Sequence, residues 1–271
     1  MTERYLRRFD AFDRVLHGLL MLSFLGLAAT GMPLLFSDKT WARHVTRLLG
    51  SFEVAGWLHR VSATILISVF ALHLWRVGRR IVVGKDWGLL WGPRSMVPQP
   101  RDFRDLVAHV KWLVGRGPRP SFDRFTYWEK FDYWAVFWGM AIIGTSGLLL
   151  WFPTFFATFV PGWAFNIAML VHGEEALLAV GFIFTIHFFN GHLRTEKFPM
   201  DPVIFTGRVT ETELARERPD EYERLLAGGG LAAIAEEAPP PWLVRLGRAI
   251  GTTAVVIGLV LVAVIIYAVL T

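Results

Sequence analysis

Five long apolar runs, almost free of charge, constrain this chain more than anything else in it. They fall at about 14–36, 54–77, 131–152, 166–190 and 243–270, and residues 135–152 and 255–270 carry no charged side chain at all. Each is long enough to cross a hydrocarbon core of about 30 Å. Lipid offers the backbone no hydrogen-bond partners, so such runs fold as helices. Of 271 residues, 54% are hydrophobic and 19% charged. We therefore expect an all-α integral membrane protein: a four-helix transmembrane bundle plus a fifth, C-terminal transmembrane helix. The expected organisation is a core over 1–190 with a loop at 78–130, a soluble segment and linker over 191–242, and a last span over 243–271. The linker runs through Gly228-Gly229-Gly230 to Pro239-Pro240-Pro241, a flexible piece and then a stiff one.

The basic residues set an orientation. Four precede span one, twelve lie between Arg76 and Lys130, and eight lie between Arg194 and Arg248; the opposite loops carry three and none. The positive-inside rule puts the N-terminus in the cytoplasm and Thr271 outside. This asymmetry accounts for the net charge of +5, and nucleic acid is not an expected partner because no soluble module organises that charge. The first apolar run is too long for a cleavable signal and is expected to remain as a helix. Residues 102–114 form an amphipathic piece suited either to the membrane surface or to ordinary packing in a loop.

Two of the spans each hold a histidine pair, His59 with His73 and His172 with His187. An imidazole in hydrocarbon requires a partner for its polar nitrogens. At about 100° per residue, His73 lies roughly 40° from His59 and His187 roughly 60° from His172. Each pair thus shares a helix face, separated by about 21 to 22 Å of rise. Facing each other, two such helices would clamp two porphyrins, one toward each side of the membrane. The cysteine count of zero excludes iron–sulfur clusters and C-x-x-C-H attachment in this chain, so the two b-type haems would be held non-covalently by bis-histidine ligation.

Both spans run from outside to inside, which pairs His59 with His172 at the outer face. His187 is an inner ligand. Its partner is open: helix periodicity favours His73, while His17 enters span one at the same depth. His192, about 140° around an α-helix from His187, is expected to face elsewhere, although six histidines would also suffice for three sites. His44 and His109 are expected at the surface. Arg14, Arg60, Arg76 and Arg194 lie near the membrane edges, where propionates would emerge. Glu174 and Glu175 suit either a helix N-terminus or a proton path or docking charge.

The opening Arg7-Arg8-Phe9-Asp10, then Asp13-Arg14 and His17 and an apolar run to Thr30-Gly31, resembles the first span of formate dehydrogenase gamma subunits and hydrogenase-type cytochromes b. The similarity to these cytochrome b561-like bacterial membrane subunits covers about 1–225. The runs 125–153 and 192–201 resemble dihaem cytochromes b paired with multihaem c-type cytochromes. The resemblance implies a dihaem subunit of the bacterial inner membrane, with a periplasmic C-terminus. It implies His59 and His172 for the outer haem and His17 with His187 for the inner. It further implies electron exchange between menaquinone or ubiquinone near the cytoplasmic haem and a periplasmic c-type cytochrome or catalytic subunit. The chain would then be an electron-transfer subunit of an oxidoreductase complex rather than a stand-alone enzyme, with Glu129, Lys130 or Asp13 as proton partners of the quinol. It departs from the family in having His73. It also has Thr126-Tyr127-Trp128-Glu129-Lys130 where an asparagine–glycine–glutamine quinone segment is expected. Membrane lipid, and other membrane subunits through the C-terminal helix, are the remaining expected partners. The alternative is a haem-free transporter with a histidine proton relay, or a structural anchor; unbroken helices and twelve tryptophans weigh against it.

Overall fold

The computed structural model describes residues 3–270. Its five membrane-length apolar helices are span one (Ala11–Leu35), span two (Phe52–Val82), span three (Tyr127–Trp151), span four (Gly162–Leu193) and span five (Pro241–Leu270). Every expected run is a helix. Each extends past the apolar stretch at one or both ends, where arginine and aromatic side chains tolerate the interfacial layer. The chain is an all-α multi-pass membrane protein.

Three stretches are π-helical: Met140–Gly144 in span three, and Ile183–His187 and Phe189–Leu193 in span four. The helix Pro100–Leu113 starts on proline with a reciprocal Gln99–Asp102 capping box. Its Phe103, Leu106, Val110 and Leu113 are all exposed, as a helix lying on a membrane surface requires.

The chain divides into two compact units. One comprises residues up to 14, 74–135 and 202–247. In it, strand β1 (Tyr5–Arg7) pairs antiparallel with β2 (Arg208–Thr210) on one side and with β3 (Ala235–Glu236) on the other. Leu6 is fully buried among Val209, Leu214 and Leu231, a small apolar core beneath the ribbon. Beside it, the Glu221 carboxylate accepts from Arg8 Nη1 at 2.7 Å and from Arg124 Nη1 at 2.9 Å. Gly207, at φ 75°, has no Cβ to collide with the Phe9 carbonyl, which would stand 2.5 Å away.

The other unit comprises 15–73, 136–201 and the chain from 248 onward. Its core joins Ala28 and Met32 of span one, Val180, Phe184 and Phe188 of span four, and Ala254 and Val255 of span five. A Cβ on Gly258 would meet Phe184 Cδ1 at 2.3 Å and Phe188 Cε2 at 2.9 Å, so this glycine lets span five seat against two aromatic rings. One face of span five is thereby occupied within the chain, while Val256, Leu259, Val260 and Ile266 stay exposed. Gly258→Leu is expected to destabilise the bundle by about 1–3 kcal/mol through overpacking. A lowered thermal midpoint in detergent is the readout, and an unchanged one would mean that span five does not dock through this face.

Candidate functional site

His59 of span two and His172 of span four face each other with ring centroids 6.3 Å apart and ring planes at 75°. A metal bound by both, at metal–nitrogen distances of about 2.0 Å, would place two imidazole centroids about 6 Å apart. The pair is spaced for one shared metal.

The tautomer of each ring follows from its partners. The Thr30 hydroxyl donates to the Gly26 carbonyl at 2.6 Å, which leaves its oxygen to accept from His59 Nδ1, 3.1 Å away. Ser146 repeats the device: it donates to the Ile142 carbonyl at 2.7 Å and lies 3.2 Å from His172 Nδ1, which reaches the Ile143 carbonyl at 3.1 Å. The Ile143 carbonyl only accepts, and the Thr30 hydroxyl has given its one proton to Gly26, so Nδ1 carries the proton in both rings and Nε2 keeps its lone pair for a metal. Each hydroxyl is followed by a glycine, Gly31 or Gly147, where a Cβ would stand 3.0 Å from Cε1 of the facing imidazole. Spans one and three thus present the same hydroxyl–glycine cradle to one histidine each. The donor set and its outer partners fit a bis-histidine haem. Sequence reading passed over Thr30 and Ser146 as partners of the histidines; the signal available was the paired Thr30-Gly31 and Ser146-Gly147 dipeptides.

At the other end of span four the π-helical turns alter the arithmetic. One extra residue is absorbed at Ile183–His187, so the 15-residue step from His172 to His187 acts like the 14-residue step from His59 to His73. Hydrogen bonding from i to i+5 at Phe189–Leu193 likewise brings residues five apart toward one side, and His192 is not turned away as an α-helix would turn it. His17 is within electrostatic reach of both His187 and His192, and His192 Nδ1 is buried without a hydrogen-bond partner. His73 stands edge-on to Phe137, with centroids 6.5 Å apart.

The arginines have varied surroundings. Arg14 donates to the carbonyls of Phe205 and Thr206 at 3.1 and 2.9 Å. Arg76 binds Asp10 and Asp13 and covers the Phe12 ring. Arg194 Nε donates to the Asn190 carbonyl at 2.9 Å, and Arg60 is exposed. The candidate proton partners are also engaged. Glu129 accepts from the Thr126 amide at 2.8 Å and from Arg218 at 2.9 Å, an N-terminal capping arrangement. Lys130 pairs with Asp102 at 2.9 Å. His44 is exposed. His109 is half-buried, bonded to the Tyr127 hydroxyl at 2.9 Å and stacked on Trp112.

Residues 8–196 match the family described as prokaryotic cytochrome b561. The chain belongs to that family. Its histidines 17, 59, 73, 172, 187 and 192 all lie inside the matched region, whereas span five lies beyond it. Among curated proteins the chain is 21% identical over 174 residues to the cytochrome b556(fdo) subunit of formate dehydrogenase from Escherichia coli strain K12, covering 64% of this chain and 72% of that protein. The same values hold for the counterparts in Escherichia coli O6:H1 and O157:H7. As a cytochrome b561-family protein, the chain is a membrane-embedded b-type cytochrome of electron transfer, and its haem is non-covalent because it has no cysteine.

Proposed function

We propose that this protein carries electrons across the bacterial inner membrane between a quinone pool and a redox partner on the far side, as the dihaem subunit of a respiratory complex. The facing His59–His172 pair carries this reading, because both Nδ1 atoms are committed and both Nε2 atoms are left for a metal. His17 and His187 form the second site; their mutual electrostatic reach and the π-helical correction at His187 support that pairing, while His73 meets Phe137. The haems supply one-electron ferric–ferrous chemistry, with potentials set by ligands, burial and hydrogen bonding. The protein's own part is to hold the imidazoles in one tautomer, through Thr30 and Ser146, and to surround them with apolar side chains that exclude water.

The distribution of basic residues supports a His17–His187 end toward the cytoplasm and a C-terminus in the periplasm. Menaquinone or ubiquinone, exchanging two electrons and two protons, is the substrate at the His17–His187 end. The periplasmic partner is a c-type cytochrome or catalytic subunit, in keeping with the formate dehydrogenase subunit that the chain is similar to.

Haem quantified per purified chain, with a reduced-minus-oxidised spectrum, tests the reading directly. Two b-type haems per chain are expected. A single haem would remove the His17–His187 site, three would bring in His192, and none would end the proposal.

A further inference from the structure

Glu174 is a carboxylate for which the bundle provides nothing. It lies within span four, about 18 Å of helix rise from Gly162 and further still from Leu193, beyond a glutamate's reach to either end. Its neighbour Glu175 accepts a hydrogen bond from Trp138 Nε1 at 3.3 Å. Glu174 is exposed and has no hydrogen bond or ion pair among the described residues.

Its surroundings form a seam. Counted at about 100° per residue from His172, the residues Trp163, Ile167, Leu170, Glu174, Leu178 and Gly181 fall between about 160° and 240°, on the side turned away from His59. Trp163, Leu170 and Leu178 are 64, 65 and 61% exposed. Nothing comes within 4 Å of a Cβ built on Gly181. Elsewhere on span four, Val180, Phe184 and Phe188 lie in the core shared with spans one and five, Glu175 meets span three and His172 faces span two, while Met169, Ile186 and Phe189 are also exposed. The open seam is therefore not the slot between the imidazoles.

We propose that this seam seats a transmembrane helix of a different polypeptide, with a lysine or arginine at the depth of Glu174. Intramembrane carboxylates are rare and are found paired. The three- and four-residue spacing of the seam is that of a helix-packing face, and Gly181 permits close approach. A second copy of this chain does not satisfy the seam. A two-fold contact would set Glu174 against itself. Arg60 is the chain's basic residue at matching depth, because His59 abuts His172, but it lies on span two. The outward sides of spans two and four look in opposite directions across the histidine pair, so copies joined through them would form an open row rather than a closed assembly.

The test uses the full chain in its native membranes. The photo-crosslinking residue benzoylphenylalanine is placed at Leu170 or Leu178, with Leu72 on span two as the control position. The expected result is an adduct to one membrane polypeptide from positions 170 and 178 and not from 72. That polypeptide should carry a basic residue within its span, and Glu174→Leu should lower the yield at least tenfold while Glu174→Asp retains it. An adduct of twice the chain's mass, adducts to lipid alone, or a yield indifferent to Glu174→Leu would each overturn the proposal. In parallel, Glu174→Leu in the purified chain should leave the thermal midpoint in detergent unchanged or higher. A lowered midpoint would make Glu174 an internal structural residue and would also overturn it.

Discussion

His59→Ala and His172→Ala are each expected to remove one b-type haem and leave the other, halving the reduced-minus-oxidised absorbance per chain. On the proposed assignment the two rings serve one site, so either substitution should delete the same signal, and the double substitution should delete no more than one does. The surviving haem reports that the chain still folds. His17→Ala and His187→Ala should delete the complementary signal, with His73→Ala deleting neither. Thr30→Val and Ser146→Ala act one step further out. Each removes an acceptor that fixes Nδ1–H, and such outer partners are worth about 10- to 100-fold in metal retention, measured here as the rate of haem transfer to apomyoglobin. Retention of both haems by His59→Ala would show that the facing pair is not a ligand set.

The spans were legible because their physics is one-dimensional. A run such as 255–270 without a charge admits almost nothing but a membrane helix, and the structure makes it one, within Pro241–Leu270. That His59 and His172 face each other was legible for the same reason: both members stand on regular helix, where residue number converts to direction. At the other end the conversion failed. Whether a helix takes a π turn at Ile183–His187 and Phe189–Leu193 depends on what packs against it rather than on local spacing, so α-helical arithmetic turned His192 away from His187. The π stretch Met140–Gly144 in span three contains the two carbonyls, of Ile142 and Ile143, that bond Ser146 and His172.

The soluble parts were the least legible. Strand β1 is three residues long and pairs with partners about two hundred residues away; no local pattern of alternation reaches that far. Glu129 shows the converse. In the sequence it is a charged residue at a membrane edge, open to a proton-transfer reading. The Thr126–Glu129 spacing is also a helix-start signature, and the structure uses Glu129 in that way and as a partner of Arg218.

Glu221→Ala is expected to loosen the unit built on residues up to 14, 74–135 and 202–247 by about 3–5 kcal/mol, the usual consequence of leaving a buried charge without its partner. Glu221 is 2% and Arg8 7% exposed. The two guanidiniums are further tied by bonds to each other's backbone: Arg124 Nη2 donates to the Arg8 carbonyl at 2.7 Å, and Arg8 Nη2 to that of Arg124. Burial, and then the charge of Arg8 beside it, hold the Arg124 guanidinium below its ordinary value even with Glu221 in place. Without that carboxylate, the buried Arg8 and the half-buried Arg124 are left side by side with only the longer contact of Arg8 to Glu129, at 3.9 Å. Glu221→Gln keeps the shape and loses the charge, so it should recover little, whereas Glu221→Ala combined with Arg124→Met removes one of the opposed cations and should recover part of the loss. Limited proteolysis measures this: cleavage between 202 and 240 should accelerate at least tenfold in Glu221→Ala while the b-type spectrum is retained. Cleavage at the parental rate would mean that the ribbon and its apolar core around Leu6 hold this unit without the ion pairs.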